Sequence, residues 1–409
     1  MQNGATYREH RTASNFNRDV LALSLAASAC SIARAKRGMV CLALTAVFFL
    51  HAGLPVFAQA QEQPAAASTA GEGTQQFADL GDFKLSSGAL IRNCHLGYRT
   101  LGNLNAQKSN GVLWSTWLGG TTKDLLPNAA PGNVVDTRKY FAILVDAIGN
   151  GISSSPSNSK SQPLMRFPEF TIRDMVNAEH ELVTTVLRIP HLHAVVGISM
   201  GGMQTFEWMA AYPDSMDEAI AIMGSAQSTS YDKLLWTAQI DAIEADPKWN
   251  HGRPTGMPLA GLRVVAEMSS INETSPSYRG AKTPPQDFEA FLKDLRNGVG
   301  GEVGTAVDWI RQRQAIISFD VPGEFGGTME QAAARIRAKV LVMVSPRDQS
   351  VNPASALEFA RLLKAPVIIL DSWCGHTSPA CISIGPLVDR FLADPASVQS
   401  TTLHDPPEK

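Results

Sequence analysis

Ala194-Val195-Val196-Gly197-Ile198-Ser199-Met200-Gly201-Gly202 is the stretch that decides the fold, because it joins an apolar run to a helical pattern through a serine flanked by glycines. The apolar run predicts a buried strand, and the two flanking glycines permit a sharp turn from that strand into a helix. Such a turn exposes the serine hydroxyl at the sheet edge and points the helix amino terminus at developing negative charge. The motif predicts that Ser199 is a nucleophile; the alternative is an ordinary structural glycine turn.

The same alternation of strand and helix continues on both sides of this motif from about residue 111. It predicts a mostly parallel central sheet flanked by helices. The predicted strands are residues 112–114, 141–145, 194–196, 219–223, 340–344 and 367–370, and the clearest helices are 171–187 and 201–212. Residues 225–327 break the alternation with helical pieces separated by Pro and Gly. A segment of this length predicts an inserted helical cap (a lid) over the carboxyl edge of the sheet.

The residues that would activate the serine follow later strands. A serine hydroxyl needs a base, and the base needs a carboxylate that holds it in the correct tautomer. Asp348 follows the predicted strand 340–344 and His376 follows 367–370, which is the chain order serine, acid, histidine of the α/β-hydrolase fold. The sequence therefore predicts that fold, with Ser199, Asp348 and His376 as the catalytic residues. Other candidates fit these positions less well, namely Asp371 as the acid and His191 and His193 as the base.

The oxyanion of an acyl-transfer intermediate needs two backbone donors. We predict that one is the amide of Met200, directly after the nucleophile, and that the other is the amide of Leu118 in the glycine-containing loop 117–121. An ordinary glycine turn is the alternative for this loop.

The first 60 residues indicate export. A basic stretch at 34–37 precedes an apolar run at 39–57 and small residues at 58–60, which is typical of a signal peptide at about 34–60 with cleavage near Ala60. The protein is therefore predicted to be periplasmic or secreted, with no stable membrane span after cleavage. The residues before Met39 suggest an over-long gene start, and an uncleaved membrane anchor is the alternative.

The sequence divides into an amino-terminal extension with signal peptide (1–60), a flexible leader (61–76), a core (77–224 and 328–395), the cap (225–327) and a flexible tail (396–409). Cys94, Cys374 and Cys381 remain after signal removal. Cys374 and Cys381 bracket His376 and are predicted either to form a bridge or to be two free thiols.

Composition excludes several classes of function. The 409 residues are 44 % hydrophobic, enough for a substantial core, and carry a formal net charge of -3 with a pI near 6.3. This charge disfavours nucleic acid as a partner. No metal-ligand cluster and no phosphate or redox cofactor motif is present, so we predict no cofactor and no metal. The expected partner is a small-molecule ester or acyl donor.

From about Phe83 to the last predicted strand, the sequence resembles the homoserine O-acetyltransferase family. The matching stretches are residues 98–105, 136–141, 167–176, 197–204, 207–208, 212–214, 242–243 and 246–249. The resemblance implies an acyl-enzyme formed on Ser199 with His376 and Asp348, a helical cap that narrows the site, and a homodimer formed through the cap.

The charged residues that the resemblance implies for the acceptor pocket are absent from this sequence. The resemblance implies an Arg at the end of a G-L-x-x-A-R stretch and an Asp after the catalytic His, but Ala266 and Thr377 stand there. A one-residue shift would place Arg263 in the pocket instead. A zwitterionic acceptor needs both charges paired, and each lost charge-assisted bond costs about 1.5 to 3 kcal/mol.

Three functional hypotheses follow. Because an exported enzyme would not meet acetyl-CoA, the sequence favours a periplasmic ester hydrolase that uses water as the acceptor. The second is an acyl-CoA-dependent O-acyltransferase acting on homoserine or another hydroxyl acceptor. The third is a binding protein on the same fold without activity.

Overall fold

The computed structural model describes residues 73–301 and 303–406. The predicted signal peptide, and the predicted leader up to residue 72, lie outside the described residues. Across the described ranges, no helix combines the length and apolar character that a membrane crossing requires.

A nine-stranded sheet forms the centre of the molecule, with the order β1-β2-β4-β3-β5-β6-β7-β8-β9. The pairs β1–β2 and β2–β4 are antiparallel and all others are parallel, so the predicted fold class, a mostly parallel sheet flanked by helices, is confirmed. The strands are β1 (Gln76–Lys84), β2 (Leu90–Leu101), β3 (Gly111–Ser115), β4 (Phe141–Val145), β5 (Leu192–Ile198), β6 (Met216–Ile222), β7 (Lys339–Val344), β8 (Val367–Asp371) and β9 (Thr401–His404).

Helices occupy both faces of the sheet and the insertion between β6 and β7. They are α1 (Thr122–Leu125), α2 (Ile172–Glu181), α3 (Met200–Ala211), α4 (Ser230–Glu244), α5 (Leu259–Asn272), α6 (Pro276–Lys282), α7 (Phe288–Asn297), α8 (Val303–Ile317), α9 (Val321–Glu324), α10 (Met329–Ala333), α11 (Ala354–Leu363), α12 (Ser378–Cys381) and α13 (Gly385–Ala393). A π-helical turn, Leu182–Val186, extends α2, so the predicted helix 171–187 is continuous but changes its winding near its end.

The central strands are apolar on both faces because both faces are covered. In β5, Val195 belongs to the core beneath α3 and α11, whereas Val196 belongs to the core on the opposite face. On the first face, the Phe206 and Phe359 rings meet edge to face with their centroids 5.5 Å apart. The carboxyl ends of these strands lie at one edge of the sheet because the strands pair in parallel.

The cap has an apolar cluster of its own. Side chains from α4, α5 and α8 form it, including Ile243, Leu262 and Ile310, all at most 3 % exposed. The cap contacts the loops that follow β3, β7 and β8, through the pairs Gly119–Gln312, Ser350–Asn272 and Thr377–Glu273.

Two predicted boundaries are corrected by the structure. The tail 396–409 was expected to be flexible, but β9 adds in parallel to β8, with Asp371 opposite His404. The leader was expected to extend to residue 76, but β1 begins at Gln76, and the Gly73 amide already donates to the Thr100 carbonyl at 2.9 Å. In both places the segment completes an otherwise open sheet edge, which a local sequence pattern does not reveal.

Candidate active site

Ser199 lies at a strained turn between β5 and α3. Its backbone has φ 58° and ψ -122°, a region that residues with a side chain rarely adopt and that costs about 1 to 3 kcal/mol. The flanking glycines make the turn possible: a Cβ on Gly197 would lie 2.0 Å from the Gly201 carbonyl oxygen, and one on Gly201 would lie 2.5 Å from the Ser115 carbonyl oxygen. The turn leaves the Ser199 side chain partly exposed at the sheet edge.

The structure brings Ser199, His376 and Asp348 together. The distance from His376 Nε2 to Ser199 Oγ is 2.8 Å, and from His376 Nδ1 to Asp348 Oδ2 it is 2.7 Å. The Asp348 carboxylate is buried, and its Oδ1 accepts the amides of Ser350 and Val351 at 2.8 and 2.9 Å. With Nδ1 donating to the carboxylate, Nε2 is the nitrogen that can accept the serine proton.

The electrostatic surroundings favour a charged His376. Burial by itself opposes the imidazolium, but the nearby Asp348 carboxylate and its hydrogen bond, together with Glu273 and Asp232, raise the pKa of His376 above its ordinary value. An imidazolium is the species that forms when the serine proton is taken. The surroundings of His376 therefore stabilise a positive charge on its ring.

The weaker candidates lie elsewhere. Asp371 pairs with Arg347 and His404 at 3.1 and 3.2 Å. His191 bonds Asp217 at 2.9 Å, and His193 bonds the Leu392 carbonyl at 2.8 Å. None of these three residues contacts the Ser199 hydroxyl.

The predicted Leu118 donor lies in the loop after β3, which adjoins the serine turn: the Thr116 carbonyl oxygen would lie 3.5 Å from a Cβ on Gly201. The amides of Gly119 and Gly120 already donate to Gln312 Oε1 at 2.8 Å and to the Trp117 carbonyl at 3.0 Å. The Leu118 amide has no acceptor within the described part of the chain. The Met200 amide belongs to the first turn of α3, where amides have no intrahelical acceptor. These two amides are thus available to an oxyanion, which is the role predicted for them.

Contacts from the cap fix the histidine and acid loops. The Thr377 amide donates to the Glu273 carbonyl at 3.2 Å, and the Ser275 amide donates to the Trp373 carbonyl at 3.3 Å. The Ser350 hydroxyl donates to the Asn272 carbonyl at 3.1 Å. The end of α5 and the turn after it therefore lie directly beside the base and its acid.

A disulfide links Cys374 and Cys381 across the histidine, so of the two alternatives left open by the sequence the structure has the bridge. Cys94 is a free, buried thiol. Desolvation raises the pKa of the Cys94 thiol to about 12, which leaves it protonated and unreactive at neutral pH.

The homoserine contacts implied by the family resemblance are missing here. Arg263 is solvent-exposed on α5, so the one-residue shift that would place it in the pocket does not apply. Glu267 instead forms an ion pair with Arg296 at 2.7 Å. The Thr377 hydroxyl donates to the Cys374 carbonyl at 2.9 Å and carries no charge.

Sequence reasoning missed three residues of the cap that belong to this region. Gln312 holds the Gly119 amide and also donates to the Ile148 carbonyl at 3.2 Å. Glu273 and Arg313 are charged groups close to the site, within the electrostatic reach of each other and, for Glu273, of His376. No motif marks these residues, because only the packing of the cap brings them to this region.

The fold and the serine turn define the class of protein. Residues 122–372 match the model of the α/β hydrolase fold family, and the chain belongs to that family. It is therefore an enzyme of a family that includes esterases and acyltransferases.

Among its relatives, the chain is 38 % identical over 339 residues to a probable esterase of Corynebacterium glutamicum, covering 79 % of this chain and 96 % of that protein. It is 34 % identical over 289 residues to an ethyl acetate hydrolase of Pseudomonas veronii, covering 68 % and 81 %. The solved structure of the acetyl esterase MekB superposes with a TM-score of 0.72 at 29 % identity, covering 79 % of this chain and 98 % of that chain.

The predicted resemblance to homoserine O-acetyltransferases is also confirmed. The homoserine O-acetyltransferase of Methanococcoides burtonii is 30 % identical over 308 residues, which cover 67 % of this chain and 62 % of that protein.

Proposed function

We propose that this protein is a serine ester hydrolase that cleaves acetate esters of small alcohols through an acyl-serine intermediate on Ser199. The observation that carries the proposal is the continuous hydrogen-bonded chain from Ser199 Oγ through the His376 ring to the buried Asp348 carboxylate. Two relatives, an ethyl acetate hydrolase and an acetyl esterase, support acetate as the acyl group.

The geometry supports a two-step reaction. Ser199 Oγ attacks the ester carbonyl while its proton passes to His376 Nε2, and the amides of Leu118 and Met200 stabilise the oxyanion. The ester C–O bond then breaks, His376 donates its proton to the departing alcohol oxygen, and an acetyl-serine remains. In the second step His376 deprotonates water, which attacks the acetyl group and releases acetate and the free serine.

Water is supported as the acceptor of the acyl group because the site lacks the charged side chains that would bind homoserine. With Arg263 on the surface and Thr377 after the histidine, neither contact that the family resemblance implies for homoserine is present. Each such contact contributes about 1.5 to 3 kcal/mol. An acyl-CoA-dependent O-acyltransferase is the second candidate, favoured by the homoserine O-acetyltransferase relatives.

We place the enzyme in the periplasm, on the basis of the signal peptide predicted at 34–60. The Cys374–Cys381 disulfide supports this location, because disulfides persist in oxidising compartments. Sequencing the amino terminus of the protein recovered from a periplasmic extract tests it: a mature start near Gln61 is expected, and recovery only in the cytoplasm with residues 39–60 retained contradicts it.

The acyl intermediate is tested by intact-protein mass spectrometry after brief exposure to ethyl acetate, propyl acetate, acetyl-CoA or succinyl-CoA. We expect a single acetyl adduct from the acetate esters, located on Ser199 by peptide mapping. The adduct should decay in buffer, and homoserine should not accelerate its loss. Faster loss with homoserine and labelling only by an acyl-CoA would instead establish the transferase.

Two variants make this test specific to Ser199. Ser199→Ala should form no adduct and lose ester hydrolysis by a factor on the order of 10³ or more. Ser277→Ala, at an exposed serine on α6, should behave as the unmodified protein. Undiminished hydrolysis by Ser199→Ala would refute the serine mechanism.

A further inference from the structure

Two charged residues of the cap, Glu273 and Arg313, take no part in the proton transfers described above. Glu273 directly follows α5, and its carbonyl accepts the amide of Thr377, the residue after the base, at 3.2 Å. A Cβ on Gly375 would lie 3.0 Å from the Ser275 amide nitrogen, so the turn after Glu273 is in close contact with the histidine loop. Glu273 therefore stands on the His376 side of the serine.

The Glu273 carboxylate has no hydrogen bond or ion pair within the described part of the chain, and the residue keeps partial exposure to solvent. Burial raises the pKa of Glu273, and the charges of His376, Arg313 and Arg279 act against that rise. Solvent therefore still reaches this carboxylate, and a molecule that displaces the water has to supply hydrogen-bond donors in its place.

Arg313 provides the complementary group from α8. Its guanidinium lies over the rings of Trp309 and Trp236, with Cζ 5.0 and 5.7 Å from their centroids. Its Nε donates to Gln239 at 2.8 Å and its Nη1 to the Trp309 carbonyl at 3.1 Å. Its Nη2 has no acceptor among the residues that the structure describes. Although burial lowers the pKa of Arg313 to about 10, the group remains cationic at neutral pH.

Trp309 connects Arg313 to the oxyanion loop. A Cβ on Gly119 would lie 3.9 Å from Trp309 Nε1, and the neighbouring Gln312 bonds the Gly119 amide. Arg313 lies on α8 and Glu273 directly follows α5, so the two charges come from different parts of the cap. No ion pair joins them, yet each lies within the electrostatic reach of the other.

We propose that Glu273 and Arg313 form a polar subsite for the departing alcohol, which binds esters whose alcohol part carries a further hydroxyl group. This inference rests on the proposed function and names its substrate class. The departing oxygen receives its proton from His376 Nε2, so the alcohol part lies on the side of the base, where Glu273 stands. A hydroxyl can donate to the carboxylate and accept from the guanidinium, which satisfies both groups. The opposite charges balance, so a neutral hydroxyl group suits the subsite.

The test compares two acetate esters of equal size, 2-hydroxyethyl acetate and propyl acetate, which differ by a terminal hydroxyl in place of a methyl group. We expect the unmodified protein to prefer the hydroxyl ester by about tenfold or more in kcat/KM, because a site built to bind a hydroxyl rejects the analogue without it. Both esters use the same serine and histidine, so general damage to the machinery cancels in the ratio.

Glu273→Gln and Arg313→Lys should each lower this ratio by about fivefold or more. Glu267→Gln is the matched control, because Glu267 lies on α5 and pairs with Arg296 instead. Its ratio should equal that of the unmodified protein. Circular dichroism and thermal unfolding verify that each variant is folded. If Arg313→Lys fails to fold, the ratio measured for Glu273→Gln decides whether the subsite exists.

The proposal is overturned if the unmodified protein shows no preference for the hydroxyl ester, or if Glu273→Gln leaves the ratio unchanged. A preference of about tenfold or more for O-acetylhomoserine over 2-hydroxyethyl acetate also overturns it, because the subsite would then serve a zwitterion. Hydrolysis of propyl acetate that depends on Ser199 but shows no hydroxyl preference refutes the subsite alone. Absence of hydrolysis with all three esters refutes the proposed function, and the inference fails with it.

Discussion

Asp348→Asn tests the orientation of the base most directly, because the structure dictates how the new amide must sit. Asp348 Oδ1 accepts two backbone amides, from Ser350 and Val351, at 2.8 and 2.9 Å. Only an oxygen can occupy that position, so the asparagine NH₂ group must face His376 Nδ1. The imidazole is then forced into the tautomer that carries its proton on Nε2, and it can no longer accept the proton of Ser199.

The expected loss follows from that exchange of donor and acceptor. We expect kcat to fall by a factor of about 10⁴, or about 5 kcal/mol of transition-state stabilisation, while the two backbone hydrogen bonds keep the loop folded. Initial rates of propyl acetate hydrolysis, measured by pH titration of the released acetate, give the ratio. Thermal unfolding verifies the fold.

Asp371→Asn is the matched control. Asp371 is the last residue of β8, and it pairs with Arg347 and His404 at the surface. We expect its activity to remain within about twofold of the unmodified protein. If Asp348→Asn keeps more than about a tenth of the activity while folded, or if Asp371→Asn loses as much, the assignment of the acid is wrong.

Three further predictions concern folding and stability. Gly197→Ala should fail to give soluble, folded protein, because its Cβ would lie 2.0 Å from a backbone oxygen, whereas Gly280→Ala, with nothing within 4 Å, should express normally; equal yields in a solubility assay would contradict this. Desolvation, partly offset by the hydrogen bond from Trp208, raises the pKa of Glu179 from 4.5 to about 7, so the folded state holds a proton that the unfolded state loses between those values. The contribution of this group to the free energy of unfolding is complete below pH 4.5 and declines up to pH 7. The free energy of unfolding of Glu179→Gln, measured with urea, should therefore rise by up to about 3 kcal/mol relative to that of the unmodified protein between pH 5 and 8. A difference between the two proteins that does not depend on pH would refute the buried carboxyl. Replacing Cys374 and Cys381 together by serine should lower the free energy of unfolding by about 2.5 kcal/mol through loop-closure entropy, and a reductant should then have no further effect; an unchanged denaturation midpoint would show that the bridge does not contribute.

The sequence predicted the central strands and the serine turn because both are local features. Buried parallel strands are continuous apolar runs, and the turn at Ser199 requires glycines at fixed offsets. The positions of Asp348 and His376 followed from the order of strands along the chain. The carboxyl ends of parallel strands share one edge, so residues that follow different strands can be expected to meet.

The parts that could not be predicted are contacts between distant segments. Gln312 and Gly119 are 193 residues apart, and the strand pair β8–β9 depends on where the chain returns after α13. In the sequence, Glu273 and Arg313 cannot be told from ordinary solvent-exposed charged residues, because neither belongs to a recognisable pattern.

By itself the sequence determined the α/β fold class and the three side chains that meet beside the strained turn, because spacing and chain order encode them. Only the tertiary structure decided that Cys374 and Cys381 are bridged, that Arg263 faces solvent, and that Glu273 adjoins the loop of the base. The physical reason is that burial and electrostatic surroundings belong to the packed assembly of helices, and the same residue types in another packing would be exposed and fully hydrated.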